Sequence, residues 1–88
     1  QIHLVFQDPN DAQALRQATE TGKALTQRAQ AQGLTDIDVV GPAPGIPSRI
    51  RGRYRWHLIL RGQGLLRFIE GMEFPQGCTV DVDPVHVL

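Results

Sequence analysis

Between Arg49 and Arg61 the chain reads Arg-Ile-Arg-Gly-Arg-Tyr-Arg-Trp-His-Leu-Ile-Leu-Arg, with arginine at every second position from 49 to 55 and again at 61. Successive side chains of a β-strand point to opposite faces, so this spacing has a physical meaning. Taken as one strand, Arg49, Arg51, Arg53, Arg55, His57, Ile59 and Arg61 share a face. Ile50, Tyr54, Trp56, Leu58 and Leu60 share the other, with Gly52. A helix advancing 100° per residue would mix the two sets, which excludes it. The apolar face needs a covering layer, and the cationic face needs a counter-charge or a use.

Eighty-eight residues make one small domain, 1–88, with room for a single two-layer core. Net charge is zero, but the distribution is uneven. Arg49, Arg51, Arg53, Arg55, Arg61 and Arg67 are six of the nine basic residues, and the window from 49 to 67 holds no acid. A neutral protein can carry a strong local patch in this way. Cys78 is the sole cysteine, so neither an internal disulfide nor a cysteine zinc cluster can form within the chain. It reads as a half-buried apolar group, and the absence of disulfides fits a cytoplasmic setting. No apolar run approaches the ~18 residues of a membrane span. The chain starts at Gln1 and enters a strand-like run at once, which reads as a domain cut from a longer polypeptide.

Ile2 to Phe6 is expected as a first strand, with Ile2, Leu4 and Phe6 on one face and His3 and Val5 on the other. Asp8 or Asn10 can cap a helix that follows. Leu15, Ala18, Gly22, Leu25 and Ala29 recur at helical spacing, and Gly33 reads as the C-terminal cap. The small residues on that stripe, Gly22 above all, imply close approach of helix to sheet. Thr35–Val40 is a short second strand with Ile37 and Val39 facing inward. Three prolines from 42 to 47 predict a semi-rigid loop, because proline has no N–H and a fixed φ. After the arginine strand, Leu65, Leu66, Phe68, Ile69 and Met72 predict a short amphipathic helix. Phe74–Gly77 is a turn. Thr79–Asp83 is a last strand with Val80 and Val82 inward, ended by Pro84.

The order βαββαβ predicts an α+β, two-layer sandwich of the ferredoxin-like type. Its four-stranded antiparallel sheet would be ordered 4-1-3-2, with both helices on one face. The arginine strand is then central, its cations on the open side. Arginine–Asp38 pairs across neighbouring strands would leave a merely solvated face, yet one acid cannot neutralise five arginines. Stacked like charges on one strand face repel. An anion is the natural occupant, since guanidinium can donate two hydrogen bonds to one phosphate.

Tyr54 and Trp56 share their face with Leu58 and Leu60, which assigns them to the core rather than to base stacking. The RNA-recognition module has the same element order and a strand reading Lys/Arg-Gly-Phe/Tyr-Gly/Ala-Phe. Here Arg53 and Arg55 stand where that module places its stacking aromatics, so phosphate contact is the better expectation. Enzyme signals are weak. His3, His57 and His86 lack metal spacing, although His3 and His57 could be sheet neighbours. Asp81 and Asp83 have no acid–base partner, and Ser48 has no triad. Acylphosphatases share this topology but carry an arginine in the loop after the first strand, where this chain has Gln7-Asp8-Pro9-Asn10.

Three segments taken in order, Gly41-Pro42-Ala43-Pro44, Arg51-Gly52-Arg53-Tyr54-Arg55-Trp56-His57-Leu58-Ile59-Leu60 and Asp81-Val82-Asp83-Pro84, resemble the C-terminal domain of the PriA family. These are bacterial primosomal replication-restart proteins, and the resemblance covers most of the chain. It implies a fold similar to the tenth small-subunit ribosomal protein. It also implies a parent that is an ATP-dependent 3′-to-5′ DNA helicase acting in the cytoplasm, associated with the nucleoid. Single-stranded or forked DNA is the implied partner of this domain, together with the acidic tail of single-stranded-DNA-binding protein and the other domains of the helicase. ATP, magnesium and zinc would belong to those other domains, with no cofactor and no catalysis here. A binding role carries across by match only for the arginine-strand motif. The run Gly62–Arg67 departs from the family pattern and is shorter. A purely structural docking domain without DNA binding is the alternative.

Overall fold

A computed structural model describes residues 1–82. Its elements are β1 (Ile2–Asp8), α1 (Asp11–Ala31), β2 (Asp38–Ile50), β3 (Arg53–Arg61), α2 (Leu65–Phe68) and β4 (Cys78–Val82). The sheet is antiparallel throughout and ordered β2-β3-β1-β4, which is the expected α+β arrangement. Asp83, Pro84 and His86 lie outside the described residues.

β1 is central because its alternate residues fill the core. Ile2, Leu4 and Phe6 are buried on the helix side and register against Leu60, Leu58 and Trp56 of β3. Fully burying each such side chain contributes about 1.5–3 kcal/mol. α1 begins where Asn10 accepts a hydrogen bond from the Gln13 amide at 3.0 Å, a side-chain cap on an otherwise orphan donor. It ends with Gly33 at φ +67°, and the Leu34 amide returns to the Ala29 carbonyl. The buried stripe is Ala14, Ala18, Gly22, Leu25 and Ala29, with Ala14 where the periodicity pointed to Leu15. Leu58 packs against the Gly22 backbone, but an added β-carbon there would sit 3.5 Å from a Leu58 methyl. That is ordinary contact, so close approach does not require glycine at 22.

The second layer closes through α2. Leu65 and Phe68 are buried, Ile69 and Met72 pack beside them, and the helix is only four residues long. Arg28 of α1 donates to the carbonyls of Phe68 and Glu70, at 2.8 and 3.0 Å. It thereby satisfies acceptors at and just beyond the helix end. Val80 and Val82 register with Leu4 and Ile2 on the helix side. They remain 38% and 44% exposed, because the helices cover β1 and β3 and not the β4 edge. The two valines face inward as expected, on an edge the helices leave uncovered.

The larger correction concerns β2 and β3. The proline segment is strand, not loop, and the arginine run is two strands joined by a turn. β2 starts at Asp38 and continues to Ile50, opposite β3 over its whole length. It can hold prolines because it is an edge strand, paired on one side only. Two bulges also interrupt its register, between Val40 and Ala43 and between Pro44 and Arg49. In the second, residues 45–48 all face Arg55 alone.

Candidate nucleic-acid interface

Arg51 and Gly52 form a two-residue turn between the registered pair Ile50–Arg53, with φ +52° and +77°. Positive φ at both central positions suits the right-handed twist of a hairpin, and asparagine–glycine is the usual sequence for it. Arg-Gly carries the glycine but not the asparagine, so the turn is easily overlooked.

This turn redistributes the arginines. Arg49 registers with Tyr54 and therefore lies on the helix side, its guanidinium carbon 5.3 Å from the Tyr54 ring centroid. That is within cation–π reach. Arg51 occupies the tip. Alternation puts Arg53 and Arg55 on the open side, with Arg55 donating a long 3.4 Å hydrogen bond to the Pro47 carbonyl of the bulge and Arg53 also lining a cavity with Gln7, Asp8 and Gln17 at the end of β1. Arg61 shares their face but sits eight residues from Arg53 at the far end of β3, roughly 26 Å along the strand. It is opposite Asp38 in register. Arg67 projects from α2, between two cavities of about 270 and 280 Å³. The six candidate residues thus form a cluster of four at the hairpin end and two separate positions. Among the described residues none of the six forms an ion pair, the Asp38–Arg61 neighbours included.

The aromatic residues divide. Trp56 packs against the core, and its indole N–H donates to Asp11 at 2.8 Å, fastening the start of α1 to β3. Tyr54 is half-buried and outside the core cluster, a platform for Arg49 rather than core. No helical spacing or motif announced that role. It follows from the register that the turn imposes.

Beside Arg55 the open face carries His3 and His57, adjacent as their strand positions suggested. His3 Nε2 and His57 Nδ1 share a hydrogen bond of 2.6 Å, with the rings 4.7 Å apart. The bulge curls over this pair. A β-carbon on Gly45 would lie 2.8 Å from His57 Nε2, which is buried without a partner among the described residues. Burial holds the His57 pKa below its ordinary value, assisted by the neighbouring His3 and Arg55. Burial likewise pushes the Cys78 thiol up to about 11, which fits an inert half-buried group.

Among the described residues no three His, Cys, Asp or Glu side chains converge as a metal site, and no helix is long and apolar enough to cross a membrane. No curated protein sequence matches the chain. A family model described as the primosomal protein N C-terminal domain (PriA) does match, over residues 1–85. Every described element, from β1 through β4, falls inside that match, and the chain therefore belongs to the primosomal protein N C-terminal domain family.

Proposed function

We propose that this domain binds DNA phosphates through the arginines of the β2–β3 hairpin while serving replication restart within the primosome. The observation that carries the reading is the local charge. Arg49, Arg51, Arg53 and Arg55 gather at one end of the sheet, and no carboxylate neutralises them among the described residues. Keeping four cations that close costs stability unless an anion is bound. The contacts are to backbone, so they position the domain without reading sequence. The domain acts as a binding module rather than an enzyme, and ATP, magnesium and zinc chemistry belongs to other parts of the parent helicase.

Salt titration tests this. Each phosphate contact to a single strand contributes about −0.7 to the slope of log K against log salt. Changing Arg53 and Arg55 together to alanine should flatten the slope for a single-stranded oligonucleotide by about 1.4. Failure to bind DNA at low salt would refute the reading.

A second surface supports partner docking. Arg67 is flanked by Leu66, which is 62% exposed, and by cavities that Leu65, Val82 and Leu34 help to line. A cation beside exposed apolar groups suits an acidic peptide with an apolar residue, the chemistry expected of the single-stranded-DNA-binding protein tail. Arg67→Glu should abolish tail-peptide binding and leave DNA binding unchanged. Unchanged peptide affinity in that variant would remove this surface from consideration.

A further inference from the structure

Cations leave the hairpin in three directions. Arg49 departs from the helix side, Arg53 from the open side, and Arg51 from the tip. All three are exposed, as is Gly52, whose missing β-carbon would meet nothing within 4 Å. The last β1 residue in register is Asp8, opposite Tyr54. Beyond it only the Ile50–Arg53 pair and the turn continue, so the tip is a free two-stranded ribbon. On its helix side the base is flanked by Asp8 and Asp11, the latter held by Trp56.

A single strand lying on the sheet meets one face of it and can engage Arg53 and Arg55, but not Arg49. A duplex groove has two phosphate walls. The major groove is about 12 Å wide and admits a two-stranded β-ribbon. Cations on both faces and at the tip therefore match two walls at once, which no single strand presents. Arg51 adds to this, because arginine there occupies a left-handed backbone position that asparagine or glycine adopts more readily.

Resting on the reading that this hairpin binds DNA, we infer that its tip enters a groove of duplex DNA, with Arg49 and Arg53 on opposite phosphate walls and Arg51 leading. The duplex portion of a substrate is thus the preferred ligand, and single-stranded contact is confined to the open face.

The test is fluorescence anisotropy with the 88-residue chain, using a 20-nucleotide single strand and the corresponding 20-base-pair duplex over a salt series. The duplex should bind more tightly. Arg49→Ala should flatten the duplex slope by about 0.9 and leave the single-strand slope unchanged. Arg53→Ala should flatten both, by about 0.9 and 0.7. Arg51→Asn keeps a turn-compatible residue and should also flatten the duplex slope by about 0.9. Circular dichroism of each variant reports folding. Equal or tighter single-strand binding, or an Arg49→Ala variant with unchanged duplex slope, overturns groove insertion while leaving DNA binding intact. No binding to either DNA overturns the underlying reading and groove insertion with it.

Discussion

Replacing Arg51 by asparagine should make the domain more stable and a weaker DNA binder at once. The residue sits at φ +52°. An L side chain in the left-handed region costs roughly 1–2 kcal/mol, and asparagine reduces that cost by bonding locally. Asparagine before Gly52 also completes the preferred two-residue hairpin sequence. The exposed Arg51 side chain has no hydrogen bond among the described residues to lose, so the expected gain is about 1 kcal/mol. For a domain of this size, 1 kcal/mol moves Tm by about 4–8 °C. Calorimetry and urea melts would measure it, with the anisotropy salt series run on the same preparation. Arg51→Gly should gain less, because glycine adds roughly 0.5–1 kcal/mol of unfolded-state entropy. Arg51→Lys keeps both charge and strain and should leave stability and slope near their starting values. A lower Tm for Arg51→Asn would refute the reasoning, since it would mean that the arginine side chain stabilises the turn.

Gly22→Ala should raise stability by about 0.5–1 kcal/mol in urea melts, because helix propensity improves and the new methyl meets Leu58 at ordinary distance. Gly45→Ala should lower it by about 1–3 kcal/mol, because the β-carbon would press on His57 Nε2 at 2.8 Å and on Arg55 Cβ at 3.1 Å. Stability should also fall as pH drops below about 6.5. There the unfolded chain protonates His57, while the folded chain, with its His57 pKa depressed, still resists the proton. His57→Gln should make the stability profile below pH 6.5 flatter than that of the parent chain, measured by urea melts at each pH. An identical profile in that variant would assign the pH dependence to other groups.

The sheet order and the helix-side core were legible because period-two alternation and helical spacing report burial directly. Ile2, Leu4, Phe6, Leu58 and Leu60 are buried as their positions demand. The hairpin was not legible, and the reason is specific. Arg-Gly continues an alternation that began at Arg49, so nothing in the pattern marks a reversal, and arginine is not a residue that signals positive φ. The prolines pointed away from a strand for a sound reason, the missing N–H, but an edge strand with bulges has amides to spare. Arg53 and Arg55 were placed correctly by parity. Arg49 was not, because the two-residue turn pairs it with Tyr54 and nothing in the alternation marks that turn. Ile46, 96% exposed at the apex of that bulge, is likewise invisible to any rule that reads isoleucine as core.

That bulge determines what the hairpin can touch. Pro44 lies opposite Trp56, on the helix side, and Arg49 lies opposite Tyr54 on the same side. Five steps of uninterrupted alternation from Pro44 would have put Arg49 on the open face. Four residues standing against Arg55 add an odd excess of three and reverse the parity. The consequence is electrostatic. Without the turn at Arg51 and Gly52, Arg49 would join Arg53 and Arg55 in one stacked cationic row, as the unbroken strand predicted. With it, the cations divide between two faces, and one of them rests on an aromatic ring. Local conflicts lie here too: the left-handed Arg51, a Gly45 with no room for a β-carbon beside His57, and a ring nitrogen buried without a partner among the described residues. In α1 cap, periodicity and terminal glycine agree, although Gln17 Oε1 is buried without a partner among the described residues. An arginine held at positive φ at the exposed tip of the cationic end is a local conflict that core packing does not require.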